Sequence, residues 1–247
     1  MIYPPRLRRQ FSGCDEVSAA LDEGIALGLV LVRRDSIDQR TREVLARLER
    51  AGVKIRGASR NDLKRMQKSA GEPEMLALSG PDPGAPVAEW MASKFPVWLL
   101  SGISYPGNAG FAIRCAEVSG AAGIILDTEF DGRARRAALR ASMYADRFMP
   151  VLWADAQRAC ALARAAGRRI VVVEDCGTRA PWECKLDPAS LFVVGAEERG
   201  VEESVLDQAD EILRLPMEGF IPSYNLQAAM AMVIAELLRQ GHTRAGS

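Results

Sequence analysis

The sequence predicts an α/β fold, on three observations. Short continuous apolar runs alternate with helix patterns along most of the chain, the pattern of a parallel sheet covered on both faces. The composition, 48% hydrophobic and 26% charged, is that of an ordinary soluble globular protein. A turn-rich stretch, Gly80-Pro81-Asp82-Pro83-Gly84-Ala85-Pro86, divides a small first part from a larger second one.

The elements follow in order. Asp15 to Glu23 reads as a helix stopped by Gly24, and Leu29 to Val32 as an apolar strand. Asp35 to Ala51 is an amphipathic helix with Gly52 as its terminator. Val53 to Ile55 reads as a strand, Asn61 to Lys68 as a helix capped by Ser59 or Asn61, and Met75 to Ser79 as a strand. A boundary is expected between residues 80 and 94, giving domains 1–90 and 91–247. Beyond it, strands are expected at Val97–Leu100, Gly123–Leu126, Pro150–Trp153, Ile170–Val173, Leu191–Val194 and Ile212–Leu215. A last helix runs from about Asn225 to Gln240. Ligands of such sheets bind beyond the carboxyl ends of the strands.

Several function classes are excluded. No apolar run approaches the roughly 20 residues that span a bilayer. Met1 to Gln10 carries arginines without a following apolar stretch and is not a secretory signal, so a cytoplasmic protein is expected. The five cysteines are scattered, with no CxxC pair, and the single histidine, His242, lies in the tail. Neither a zinc cluster nor a histidine triad can be assembled from these, and no metal is expected. Basic and acidic residues balance at 32 each, so a polyanion would have to be met by a local patch. Two basic runs offer one, Arg6-Leu7-Arg8-Arg9 and Arg133 to Arg140; both also read as solvated faces.

Three segments carry chemistry, each after a strand. The first, Ser104-Tyr105-Pro106-Gly107-Asn108-Ala109-Gly110, has glycines that allow close approach and Asn108 placed to cap the next helix, with Arg114 further along it. The second is Gly195-Ala196-Glu197-Glu198-Arg199-Gly200, where Gly195 permits close contact and Glu197 can cap a helix or hold a cation. The third, Leu215-Pro216-Met217-Glu218-Gly219-Phe220-Ile221-Pro222-Ser223-Tyr224-Asn225, is a stiff loop feeding a helix whose first turn carries Ser223 and Asn225. Each alone reads as an ordinary strand-to-helix turn; in order, at successive carboxyl ends, they should converge on a site.

Together these residues resemble the SpoU family of RNA 2′-O-ribose methyltransferases, within the knotted SPOUT superfamily, over roughly residues 96–240. The family's first motif is matched by Asn108, Gly110, Arg114 and Ala116, its second by Gly195, Glu197 and Gly200, and its third by Pro216, Met217, Gly219, Ser223 and Asn225. Arg140-Ala141-Ser142 is similar to a segment between the first two. Residues 10 to 80 resemble the small ribosomal-protein-like α/β domain that binds RNA in several members. Tyr105, Tyr144 and Tyr224 depart from the acidic residue, glycine and leucine usual at those places.

The resemblance implies a C-terminal α/β knot, a deep trefoil, holding S-adenosylmethionine through backbone groups of Gly195, Leu215, Met217 and Tyr224. It implies a homodimer acting on RNA, ribosomal before transfer RNA. The implied reaction methylates a ribose 2′-hydroxyl. In the family the arginine matching Arg114 is proposed as the base that takes the proton. Because guanidinium is almost always protonated, the alternative is that Arg114 binds the neighbouring phosphate and stabilises alkoxide charge. Asn108 and Glu197 would orient Arg114 and the RNA, while Ser223 and Asn225 shape the pocket. Two rivals remain: a non-catalytic RNA-binding protein on the same scaffold, and a nucleotide-dependent oxidoreductase. The second lacks the GxGxxG fingerprint.

Overall fold

In the computed structural model, residues 9–35, 38–67, 71–79, 83–196 and 199–245 are described. Arg6, Arg8, Lys68, the turn residues Gly80 to Asp82 and the second segment's Glu197 lie outside them, as does the side chain of His242. The chain divides into two compact units, Met1–Asp82 and Pro83–Ser247.

The first unit is built on the run Leu27–Arg33 (β2), whose apolar residues fill the middle of a four-stranded sheet. Its order is β1 (Gln10–Ser12), β4 (Met75–Ser79), β2, β3 (Ile55–Ala58); β4 is antiparallel to both neighbours and β2 is parallel to β3. Helices α1 (Gly13–Asp22), α2 (Gln39–Arg50) and α3 (Arg60–Met66) connect the strands. The terminators act as the sequence predicts: Gly24 and Gly52 take left-handed φ of 68° and 70°. Ser59, rather than Asn61, caps α3 by accepting the Asp62 N–H. The first strand has no counterpart in the sequence reading. At three residues it is too short to show alternation, and only its pairing with β4 forms it.

The second unit is a wholly parallel sheet of six strands in the order β10-β8-β9-β5-β6-β7. These are β5 (Val97–Ser101), β6 (Gly123–Leu126), β7 (Val151–Trp153), β8 (Ile170–Val173), β9 (Leu191–Gly195) and β10 (Glu211–Leu213). Alternate residues of each strand feed opposite layers. Trp98 and Leu100 join α5 (Pro106–Ser119), α6 (Gly132–Ala141) and α9 (Leu226–Ala245) on one face. Val97 and Leu99 join α4 (Val87–Met91), α7 (Ala156–Ala165) and α8 (Glu203–Leu206) on the other. The α4 helix, whose Trp90 and Met91 are buried in this second layer, lies wholly inside the second unit; a cut at 90/91 would sever it.

Packing is closest where glycine replaces a side chain. A Cβ on Gly110 would stand 2.5 Å from the Ala138 carbonyl oxygen and 2.5 Å from the Ala141 Cβ, so α5 and α6 meet there directly. Arg168 performs the least expected packing task. Buried at the end of α7, its guanidinium donates to the carbonyls of Trp90, Met91, Ser93, Phe95 and Ser190, at 2.5 to 3.3 Å. It thereby satisfies the orphan carbonyls that end α4. Burial lowers its pKa to about 10, which still leaves it charged at neutral pH.

Candidate functional site

Sheet registers bring the motif-bearing strand ends side by side. Ser101, at the end of β5, pairs with Gly195 at the end of β9; Val194 pairs with Val173 of β8, and Val173 with Leu213 of β10. Beyond these ends lies a cavity of about 310 Å³. That size falls in the range of small-molecule sites, roughly 300–1,000 Å³.

Its wall holds Gly195, Leu215, Met217, Ser223 and Tyr224, from the second and third segments. A Cβ on Gly195 would stand 2.4 Å from the backbone carbon of Gly200. The loop's own return therefore requires glycine here. Gly200 comes back at a left-handed φ of 61° and bonds its N–H to the Ala196 carbonyl at 2.8 Å. The third segment closes on itself, with the Tyr224 hydroxyl donating to the Pro216 carbonyl at 2.9 Å. Phe220 and Ile221, between them, stand in solvent.

The α9 helix begins at Leu226, so Ser223 lies in the loop and not in a first helical turn. Asn225 acts at the helix entrance, its Oδ1 accepting the Gln227 N–H at 3.1 Å. It is absent from the cavity wall.

The first segment stands apart from the wall. Helix α5 starts at Pro106, where the fixed φ suits a first helical residue. Asn108 is therefore the third residue inside the helix and not its N-cap; that position is Tyr105, without a side-chain cap bond. Asn108 and Arg114 are both absent from the cavity lining. Arg114 is exposed, one turn beyond Gly110 on the same stripe, and makes no ion pair with any described residue. The structure thus unites the second and third segments and leaves the first on the neighbouring strand's helix.

Two wall residues escaped the sequence reading, Glu174 and Asp175, at the end of β8. They belong to no motif, yet the carboxyl-end rule points to them as much as to the rest. Glu174 is a strut: its Oε2 accepts the Val201 N–H at 2.9 Å and tethers the returning loop to β8. With them the cavity lining carries two carboxylates and, among the described residues, no cationic side chain. Asp127, at the end of β6, adds to the acidity of this edge. Burial and the nearby Glu202 push its carboxyl up from the ordinary value, against hydrogen bonds from Gly102 and Ser101 that pull the other way.

The departures are informative in space. Tyr144 sits at a φ of 58°, directly after Met143 at 58°. Their N–H groups bond back to the carbonyls of Leu139 and Arg140, a Schellman close of α6 in which glycine is usual. Tyr144 is held by stacking under the Arg147 guanidinium, 4.6 Å from the ring centroid.

A parallel α/β sheet with a small-molecule cavity beyond its carboxyl ends, walled by a Pro/Gly loop and a helix entrance, defines a ligand-binding domain of the doubly wound class. Residues 97–235 match the profile of the SpoU rRNA Methylase family, and the chain belongs to that family. It is 27% identical over 204 residues to the 23S rRNA (adenosine(1067)-2′-O)-methyltransferase of Streptomyces laurentii, covering 82% of this chain and 76% of that one. It is 26% identical over 235 residues to the 23S rRNA (guanosine-2′-O-)-methyltransferase RlmB of Photobacterium profundum, covering 92% and 96%. Its fold is that of the SpoU methyltransferase AviRb from Streptomyces viridochromogenes, solved with AdoMet: the TM-score is 0.55 at 20% identity, over 95% of this chain and 91% of that one.

Proposed function

We propose that the protein transfers a methyl group from S-adenosylmethionine to a ribose 2′-hydroxyl of ribosomal RNA. The observation that carries the reading is the cavity itself. It is assembled from the two segments whose residues match the family's second and third motifs, and its charged lining is acidic. An acidic lining fits a cofactor whose reactive sulfur is a cation. The relatives named as 23S rRNA 2′-O-methyltransferases favour ribosomal over transfer RNA.

When bound, the cofactor supplies an electrophilic methyl carbon on a sulfonium. Leu215 and Met217 offer apolar surface and backbone groups to it, with Gly195 and Tyr224 on the same wall. Ser223 shapes the rim, and Asn225 fixes the direction of α9 beneath it. The chain must align the hydroxyl with the methyl carbon, so that the methyl–sulfur bond would break as the O–C bond forms, its electron pair staying on the departing thioether and the hydroxyl proton passing to water. The part of Arg114 is to hold the adjoining phosphate and stabilise alkoxide charge, with Asn108 and Glu197 orienting it.

The reading includes a homodimer. Arg114 lies off the wall of its own cavity, and Phe111 and Val118 on α5 and Met232 on α9 expose apolar surface that a second copy would cover. It includes the trefoil knot that the family resemblance implies. It assigns the first unit to RNA binding and the protein to the cytoplasm; among the described residues no helix is long and apolar enough to cross a membrane.

The test is transfer of labelled methyl from S-adenosylmethionine to bacterial ribosomal RNA, followed by alkaline hydrolysis. Label retained in alkali-resistant dinucleotides is the expected result. Label on a base, or none on ribosomal RNA, would overturn the reading.

A further inference from the structure

Helix α6 carries four arginines, Arg133, Arg135, Arg136 and Arg140, and no carboxylate between Gly132 and Ala141. One is used internally: Arg135 donates to the Phe130 carbonyl at 3.1 Å and lies 5.1 Å from the centroid of the Trp153 ring on edge strand β7. The other three are exposed and make no hydrogen bond or ion pair with any described residue. At 100° per residue, Arg133, Arg136 and Arg140 share one flank within about 60°. Arg135 is on the opposite flank, so the three lie on the side away from β7. Helix α5 packs on a third side, with Gly110 against Ala138 and Ala141, so the three arginines face solvent.

This arrangement works against the helix that bears it. Arg133 sits in the first turn, where the macrodipole disfavours a cation, while Arg140 in the last turn is favoured. The spacings Arg133/Arg136 and Arg136/Arg140 place like charges at neighbouring positions on one face. The one acidic residue at the entrance, Asp131, is occupied in accepting the Ala134 N–H at 2.7 Å. Charges kept against local stability call for a partner outside the helix.

We infer that the Arg133–Arg136–Arg140 flank of α6 is a phosphate track for single-stranded RNA. This rests on the RNA-methylating reading and specifies where the substrate's backbone is gripped. Guanidinium groups suit phosphate bidentately. Three contacts spread over roughly 10 Å of helix axis can engage successive nucleotides.

The test is the salt dependence of binding of a labelled single-stranded RNA oligonucleotide to the whole chain. Wild type is compared with the triple variant Arg133→Gln/Arg136→Gln/Arg140→Gln and with the corresponding triple lysine variant. Each lost contact should remove about 0.7 from the slope of log K against log salt, so the glutamine variant should fall by about 2 and bind at least tenfold more weakly. The lysine variant should keep the slope. S-adenosylmethionine affinity and melting temperature should not drop in either variant, since the replaced residues oppose the helix. Equal slopes in wild type and the glutamine variant would overturn the track, as would a wild type that binds no RNA. Loss of cofactor binding by wild type would instead remove the methyltransferase reading and leave a measured slope difference standing.

Discussion

Helices α2 and α6 are both arginine-rich and amphipathic, and they use their charge in opposite ways. On α2, Arg40 pairs with Asp15 and Arg47 with Asp22 of the neighbouring α1, while Arg42 and Arg50 return hydrogen bonds to carbonyls of their own turn. Arg47 and Arg50 fall in its last turn, where the dipole favours them, as it does Arg140 of α6. On α6, among the described residues, only Arg135 finds a partner within the protein, and the other guanidinium groups are exposed. Buried Arg168 is the extreme of the first kind, with every N–H group turned to a carbonyl. A charge satisfied internally belongs to the fold; one left open against its helix is available to a substrate.

The sharpest way to break this division is to remove one residue of each kind. Arg114→Ala is expected to slow methyl transfer about 10²–10³-fold, as loss of one charge-stabilising donor does, with cofactor affinity and melting unchanged. A variant that turns over at the wild-type rate would remove Arg114 from the chemistry. Arg168→Ala should do the reverse. Stranding that many buried carbonyls is expected to cost about 2–4 kcal/mol in urea unfolding, and Arg168→Lys should recover only part, because a point charge cannot span them. An unchanged unfolding midpoint would show that water serves these carbonyls as well.

A carboxylate sharpens the same contrast through pH. Because the fold raises the pKa of Asp127, the native state holds its proton more tightly than the unfolded chain. Stability therefore falls as pH rises from the ordinary carboxylate value through the raised one. Asp127→Asn should melt higher than wild type at pH 7, with the gain vanishing in acid. A gain that persists in acid would assign the effect to something other than charge.

Smaller effects lie at the helix ends. Met143→Gly, at the left-handed close of α6, should stabilise by about 0.5–1 kcal/mol, since the glycine removes the Cβ penalty there. Destabilisation would mean that the methionine side chain is packed after all. Asp22→Asn, which breaks an exposed pair with Arg47, should change stability by less than about 0.5 kcal/mol.

Much of the second unit was readable because its strands are buried on both faces. The run at Val97 to Leu100 has no exposed position to break it, and the observed strand differs by a single residue. The strand at β3 was placed too early, at Val53 to Ile55 in place of Ile55–Ala58, because its outward Arg56 and Gly57 carry no apolar signal. The short α4 helix was hidden by the prolines before it, though Trp90 and Met91 anchor a core layer. At the site, the second and third segments were legible as Gly/Pro-rich turns after strands. The reason for Gly195 was not, since only the folded loop shows that the backbone of Gly200 occupies the place of a side chain. Glu174 and Asp175 were missed because nothing in their types distinguishes a wall residue from a solvated one; register with Val194 and Leu213 does.

The central claim is that the cavity beyond β8, β9 and β10 is the cofactor site. Calorimetric titration of the whole chain with S-adenosylmethionine, and then with its demethylated product, tests it most directly. Binding of both at about one per chain, weakened by bulk at the wall in Met217→Trp, is expected. Saturable binding that Met217→Trp leaves unchanged would place the cofactor elsewhere, and no binding of either compound would contradict the claim outright.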